Sequence, residues 1–441
     1  VQGPLVGSTS STPARPFSGK LSLREAIERG LEYNLSGVGL TQLLRQARAQ
    51  EKLARSALMP NVVGSLSDME QQVNLAALGV RFDVPFPGFS LPGVVGPFNV
   101  LDLRARLSQT VIDLTALNNY RAARETARAN ELSAQDTHDL IVLAVGGAYL
   151  QTIAARAKVQ SARAQVETAS ALFQRATQQR DAGLATPIDV NRAQVQMLTQ
   201  QQRLVSLQAD FAKQKINLAR MTGLPPTDQY DLVDEISFSA APSVSVEDAV
   251  RQAAERRADL KAAEAQVRAA ELALAAAQAG RLPSVSLNAD YGVSRSSPTP
   301  ARSTFAVVAA VRVPIWEGGR SAAQIDQATA ALAQRRAEAE DLRGQIEGDI
   351  RKAYVDLQAA ASQVEVAQAN RRLSADNLGL TRQRFDAGVS DNVAVVESQE
   401  SLAAAELDYI ASVFAHNLAK LGLARALGRA AEDLSEFLRL P

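Results

Sequence analysis

"RFDAGVSDNV" occupies Arg384–Val393, between two long stretches rich in alanine and glutamine. A cousin, "RDAGLATPIDV", occupies Arg180–Val190 in the same setting, about 205 residues earlier. A short glycine turn written twice between similar segments points to a duplicated chain. Other landmarks recur in the same order. "LSLREAI" (Leu21–Ile27) matches "VSVEDAV" (Val244–Val250), and "LMPNV" (Leu58–Val62) matches "RLPSV" (Arg281–Val285). "LSQTVID" (Leu107–Asp113) matches "VRVPIWE" (Val311–Glu317), and "NLARMTG" (Asn217–Gly223) matches "GLARALG" (Gly422–Gly428). The register changes once, between Pro60 and Leu107, where the first half carries about twenty extra residues.

Each half reads the same way. A short helix follows an N-cap serine, Ser22 with Glu25 three residues on, and Ser245 with Asp248. Then come a medium helix (about 37–58, or 259–281), a proline and a pair of strands. A very long helix follows, about 114–180 or 319–385, then a glycine turn and a last helix, about 187–222 or 391–427. The long segment is about 67 residues without proline, near 100 Å at 1.5 Å per residue. Apolar residues step by four and three along it (Ile346, Ile350, Ala353, Leu357, Ala360, Val364, Ala367), a coiled-coil period. The last helix does the same through Ala403, Leu407, Ile410 and Phe414, with Asn417 as a polar interruption before Leu421.

The strands are read from alternation. Leu101, Leu103, Ala105 and Leu107 oppose Asp102, Arg104, Arg106 and Ser108. Val285, Leu287, Ala289, Tyr291 and Val293 share one face, as do Phe305, Val307, Ala309, Val311 and Val313. The strands are expected at about 61–70, 99–111, 284–294 and 303–314. A loop dense in Pro, Gly and Phe, with Phe82, Phe86, Phe89 and Phe98, joins the first two. The expected organisation is an N-terminal extended segment (1–20), a first repeat (21–227), a linker (228–243), a second repeat (244–428) and a C-terminal tail (429–441), with tip turns at 181–187 and 386–391.

Composition narrows the function. The chain has 441 residues, with 47 Lys+Arg against 47 Asp+Glu, so no basic excess recruits nucleic acid. Cysteine is absent, which removes disulfides, zinc-thiolate sites, cysteine nucleophiles and a lipid-bearing cysteine. Two separated histidines, His138 and His416, build no metal site and read as packed or solvated helix residues. No phosphate-binding glycine loop or metal spacing occurs, so neither an enzyme nor a cofactor is expected. No stretch approaches the roughly 20 apolar residues of a spanning helix. The first residues lack a charged-then-apolar leader, and a signal peptide is expected to have been removed.

Strands of about ten residues with one apolar face suit a barrel wall, or a soluble sheet packed on one side. The long helices favour the membrane, because two rods of that length do not cover a sheet. Four strands cannot close a barrel alone, since single-chain barrels begin at about eight strands. Open edges in lipid would leave backbone groups unpaired, so copies must associate.

The residues resemble the TolC-like outer-membrane efflux proteins over about Leu21 to Gly428. The marks are "ALMPNV", "AGRLPSVSL", the two "DAG" turns, "LARMTGLPP" and, strongest, "VPIWEGGRSAAQIDQATA" (Val313–Ala330). The resemblance implies a mostly α protein with a membrane β-barrel, long coiled-coil hairpins forming an α-barrel, and a homotrimer with four strands per chain. It implies a passive export channel in the outer membrane, with a helical tube in the periplasm, working with a periplasmic adaptor (membrane fusion protein) and an inner-membrane pump; the missing cysteine agrees with an unlipidated member, whereas many relatives carry an N-terminal lipid.

The family closes its periplasmic end with acidic residues, one form reading apolar-Asp-apolar-apolar-Asp after the second turn. Here that segment is "VAVVES": Ala394 takes the first acidic position and Glu397 the second, opposite Asp189 and Arg192 of the first half. Asp189, Arg192, Glu397 and Asp391 are therefore the gate candidates. Gly183 and Gly388 end long helices, where a left-handed cap needs glycine. With Leu184 and Val389 they are the candidate adaptor-docking tips. Trp316, the only tryptophan, is a candidate membrane-boundary aromatic; packing where strand becomes helix is the other reading. The rival for the whole chain is a periplasmic adaptor or coiled-coil scaffold, though such a protein normally carries one hairpin rather than two equivalent halves.

Overall fold

The computed structural model describes residues 5, 7–9, 17, 19–77, 79, 93–225, 230–235, 237–240, 244–297, 299–387, 389, 392–431 and 437–438. In chain order the elements are β1 (Lys20–Leu21), α1 (Leu23–Tyr33), α2 (Leu35–Ser56), β2 (Asn61–Asn74), β3 (Val94–Ile112), α3 (Leu114–Asp181), α4 (Pro187–Met221) and β4 (Asp231–Leu232). They continue with α5 (Val246–Arg256), α6 (Ala258–Ala279), β5 (Ser284–Ser296), β6 (Arg302–Arg312), α7 (Arg320–Asp386) and α8 (Asn392–Ala426). The chain is mostly helical. It divides into two compact units, one of Val1–Leu44, Asn130–Ala263 and Glu338–Pro441, the other of Arg45–Ala129 and Glu264–Ala337. The expected loop residues Phe82, Phe86 and Phe89 lie outside the described residues.

The smaller unit holds an antiparallel sheet in the order β2-β3-β5-β6. Register puts Leu66, Leu103, Val293 and Ser303 in one row, and Ser65, Arg104, Gly292 and Thr304 in the next. Alternation therefore aligns across the whole sheet, apolar on one face and mainly polar on the other. β3 runs 19 residues from Val94, starting earlier than the sequence expectation near 99, because it continues to pair with β2 beyond the irregularity at Gln71/Val73. On the polar face Arg104 acts as a clamp. Its Nε donates to Asp102 (3.2 Å) on its own strand, one Nη donates to Asp290 on β5, and the other to Thr304 (3.2 Å) on β6. Gly292 makes that reach possible: a Cβ there would sit 2.8 Å from the Leu103 carbonyl oxygen and 3.1 Å from the Arg104 Cβ and Cγ.

The apolar face is uncovered. Val62, Leu66, Leu103, Phe305, Val307 and Val311 are all more than half exposed. Leaving six such side chains in water forgoes roughly 9–18 kcal/mol, at about 1.5–3 kcal/mol each. That equals the whole net stability of a typical domain, about 5–15 kcal/mol. The outer edges of β2 and β6 have no strand partner among the described residues. Helical segments of this unit are tied by ion pairs, Arg268–Glu125 at 3.0 Å and Arg336–Glu271 at 2.7 Å.

The larger unit has an apolar core. α3 supplies Ile141, Val142, Val145, Tyr149, Leu150 and Ile153, which meet Leu218 of α4, Ile346 and Ile350 of α7, and Leu421 and Leu423 of α8. α3 also corrects the expectation that no stretch is apolar enough to span a membrane: one 18-residue window passes by length and composition, and half of it is buried. Its apolarity serves this core. β1 and β4 pair in parallel beside it (Lys20↔Asp231, Leu21↔Leu232). The Tyr149 hydroxyl donates to the Asp234 carboxylate (2.7 Å), which also accepts the Leu23 amide (2.8 Å). Burial, and then that carboxylate, push the tyrosine pKa far up, so it stays a neutral donor.

Polar side chains fasten the segment after β4 to α8. Asn417 Nδ2 donates to the Ser237 carbonyl (3.0 Å), and the fully buried Lys420 donates to the Ser239 carbonyl (3.1 Å) and hydroxyl (2.7 Å). His416 is packed, its ring centroid 4.8 Å from that of Phe238, with its pKa lowered by burial and then by Lys420.

α4 ends in a left-handed glycine, Gly223 (φ +70°), with the Leu224 amide donating back to Ala219 at 3.0 Å. A Cβ at Gly223 would lie 2.6 Å from the Tyr33 Cβ, whereas Gly183 shares the backbone (φ +75°) with nothing within 4 Å. Gly223→Ala adds a core clash to the backbone strain and is expected to cost about 2–5 kcal/mol. Gly183→Ala bears only the strain, about 1–3 kcal/mol. Denaturant melts of the two variants check the difference; equal losses would remove the Tyr33 contact as a cause.

Candidate functional site

The two glycine turns lie at one end of the larger unit. At the first, α3 closes in a Schellman cap: the Gly183 amide donates to Arg180 (2.9 Å) and the Leu184 amide to Gln179 (2.8 Å). At the second, the Val389 amide donates to Arg384 (2.9 Å) in the same six-to-one pattern. Gly388 and Asp391 lie outside the described residues. Leu184 and Val389, 81% and 68% exposed, present apolar side chains to solvent at the two turns.

α4 starts with Thr186 as N-cap and Pro187 in the first turn. Asp189 occupies the third position, and its carboxylate accepts the Thr186 amide (3.0 Å) and hydroxyl (2.6 Å). Those two bonds, with Arg192 nearby, hold its pKa below the usual carboxylate range. The gate candidate Asp189 is thus engaged as a cap. Its backbone carbonyl accepts from Nδ2 of Asn392 (3.1 Å), at the start of α8, which ties one helix pair to the other. Asn392 is only 3% exposed. A second tie is the ion pair Arg175–Asp386 (2.9 Å) between α3 and α7. Beneath these lies a small apolar layer of Leu172, Ala176, Val190, Ala193, Leu378 and Val395, with one or more residues from each of the four helices.

Arg192 and Glu397 line one groove between α4 and α8, with Ile188 and Val195 beside Arg192 and Val393 and Val396 beside Glu397. The groove encloses about 450 Å³. Both charges are exposed, and no ion pair joins them among the described residues. Trp316 belongs to the other unit, after β6, and is 87% exposed. It follows Ile315, 93% exposed, and precedes Gly318 and Gly319, both left-handed (φ +59° and +86°). Among the described residues no group of three or more His, Cys, Asp or Glu could hold a metal.

Sequence reasoning missed Asn392, and it missed Gln196, Gln200 and Gln399, all more than nine-tenths buried. One signal was available. Val190, Ala193, Gln196 and Gln200 step by three, three and four, so the glutamines occupy seam positions of α4.

This architecture is that of TolC-like channels. The solved structure of the Campylobacter jejuni CmeC outer membrane channel aligns with a TM-score of 0.79 at 15% identity, covering 100% of this chain and 96% of that one. The family described as "Outer membrane efflux protein" matches residues 40–224 and 249–429, and the chain belongs to that family. It is 27% identical over 430 residues to outer membrane protein OprJ of Pseudomonas aeruginosa, covering 92% of this chain and 84% of the relative. It is 24% identical over 429 residues to the toluene efflux pump outer membrane protein TtgF of Pseudomonas putida, covering 94% and 84%. The chain is an outer-membrane export channel, and the adaptor or scaffold alternative is set aside. The family is one of passive conduits rather than enzymes.

Replacing Asn392 by Leu removes the tie to Asp189 while keeping the site apolar. The helix pairs should separate more readily, raising spontaneous opening in planar bilayers several-fold, as expected for a lost hydrogen bond of about 0.5–1.5 kcal/mol. An opening frequency equal to wild type would show that the Asn392 bond does not hold the tip.

Proposed function

We propose that the chain works as a homotrimer in which three four-stranded sheets close a twelve-stranded barrel, apolar face to lipid. The observation that carries this is the uncovered apolar face of a sheet with two unpaired edges. Lipid covers such a face without cost, and neighbouring copies pair the edges. Strands of 14, 19, 13 and 11 residues are long enough to cross a bilayer when tilted. Trp316 and Ile315 then sit at the membrane boundary, outer-membrane lipid being the partner of the barrel wall.

The larger unit supports the same stoichiometry. α4 exposes Ile188, Val195, Leu198 and Val205, and α7 exposes Val355, Val366, Leu373 and Leu380. Their spacings of seven, three and eleven are those of coiled-coil seams, so each stripe fits a neighbouring helix of another copy. Three copies of α3, α4, α7 and α8 supply the twelve helices of an α-barrel facing the periplasm. The equal helix pairs, 11 residues for α1 and α5, 22 for α2 and α6, and 35 for α4 and α8, support repeats at 21–227 and 244–428 joined by a linker at 228–243.

The relative named for an efflux pump supports assembly with an inner-membrane pump through a periplasmic adaptor. The adaptor docks at the tips, on Leu184 and Val389 beside Gly183 and Gly388. A three-fold ring of Glu397, six residues after Asp391 in the chain, focuses cations at the periplasmic mouth. Asp189 stays ionised in its Thr186 cap, and Arg192 sets the local balance.

Extraction of outer membranes with detergent should give a trimer that conducts as single channels; a soluble monomer would overturn the proposal. Glu397→Ala should reduce cation selectivity, read as a shift of reversal potential toward zero in a salt gradient. Unchanged selectivity removes Glu397 from the gate. Leu184→Asp and Val389→Asp should abolish export in cells while trimers still assemble, and normal export by both would place the adaptor elsewhere.

A further inference from the structure

Behind the tip lies a partly open cavity of about 80 Å³, with Gln165, Thr168, Gln196, Gln200, Gln399 and Glu406 as its polar lining and Ala164, Leu378 and Leu402 as its apolar lining. Gln196, Gln200 and Gln399 are 6%, 3% and 8% exposed. Four of their amide atoms have no partner among the described residues: Nε2 of Gln196, Oε1 of Gln200, and both Nε2 and Oε1 of Gln399. Buried amides are rarely left unpaired, because the desolvation cost then stands uncompensated.

The unpaired set identifies the ligand. Two are donors and two are acceptors. A cation would serve only the oxygens and an anion only the nitrogens, whereas water serves both. Turning the Gln399 amide over still leaves one donor and one acceptor. One oxygen of the Glu406 carboxylate, Oε2, accepts from the Ser161 hydroxyl and from Gln165 Nε2 (3.3 Å). The space suffices, since each water needs roughly 10–15 Å³. At roughly three hydrogen bonds per water, four unpaired atoms call for about two or more.

We propose that this cavity holds a cluster of ordered water, and that the cluster forms a hydrated seam on which the helix pairs shift when the tip opens. The second part rests on the export-channel reading. Water-bridged bonds exchange partners with little loss, while interdigitated apolar side chains must unpack to move. The seam lies behind the apolar layer that holds Val190, Ala193 and Val395. Nearby α7–α8 contacts are also made by small hydroxyls, Ser398 to Thr381 at 3.2 Å and Ser374 to Ser401 at 3.5 Å.

The test uses the full chain assembled in lipid nanodiscs and in planar bilayers. Cryo-electron microscopy at a resolution that shows ordered water should find density bridging Gln196, Gln200 and Gln399. In the double variant Gln200→Leu/Gln399→Leu that density should vanish, and channel openings should become several-fold rarer in intact trimers. If the double variant does not assemble, Gln200→Met, of similar length and without hydrogen-bonding groups, is read in the same way. Wild-type melts should be the same in potassium and choline chloride. A dry cavity with the amides paired to each other, a potassium-specific rise in melting temperature, or openings as frequent in the assembled variant as in wild type would each overturn the proposal. A wild-type protein that never conducts would instead remove the channel reading, and the density would still decide whether water fills the cavity.

Discussion

An antiparallel sheet with an apolar face and two open edges governs the architecture. In water the face and the edges are separate liabilities, one of apolar area and one of unpaired backbone groups. Helices of the same chain do not cover the face: Phe305 and Val307 stay more than half exposed. Polar side chains stabilise the opposite face instead, through the Arg104 clamp across β3, β5 and β6. Such a sheet suits the proposed closure, by lipid on one face and by other copies at its edges.

The larger unit divides its helix surface between two kinds of contact. Ile346, Ile350, Ala360, Val364 and Ala367 of α7 are buried within the chain, while Val355, Val366, Leu373 and Leu380 of the same helix are not. A helix that presents one seam inward and another outward suits a wall, since each helix in a ring has two neighbours. The small residues of the inner seam let backbones approach closely. The polar fastening of residues 237–239 by Asn417 and Lys420 fixes that segment across α8. Asn417, read in the sequence as an interruption of the seam, is thus a specific hydrogen-bond donor.

The long helices were legible because coiled-coil periodicity persists over many turns and no proline interrupts it. The structure gives Leu114–Asp181 and Arg320–Asp386 where about 114–180 and 319–385 were expected. Strand faces were legible from alternation, but strand length was not. β3 begins at Val94 because pairing with β2, a non-local contact, carries it past the irregularity at Gln71/Val73. At the tip, the turn pattern marked Gly183 as a left-handed cap, whereas Asp189, singled out through the family resemblance, caps α4. Its capping role depends on Thr186, and the S/T-x-x-D pattern that announces it was present in "TPID". Gln196 and Gln200 carried a signal only in their seam spacing after Val190 and Ala193, and Asn392 and Gln399 carried none, because polar residues in Ala/Gln-rich helices ordinarily face solvent.

Those misread residues change how the duplicated turn should be understood. The shared elements, a six-to-one hydrogen bond after each long helix followed by a helix start, are local chemistry that the proposed duplication would preserve. The tie between the pairs is not symmetric. The first copy offers a backbone carbonyl at Asp189, and the second offers the Asn392 side chain that donates to it. Likewise α4 brings Arg192 to the groove and α8 brings Glu397. Two identical hairpins would meet with like groups opposed, carbonyl to carbonyl and charge to like charge. On the proposed duplication, divergence between the copies places a donor opposite an acceptor at this tie, a single hydrogen bond weak enough to break in the proposed opening.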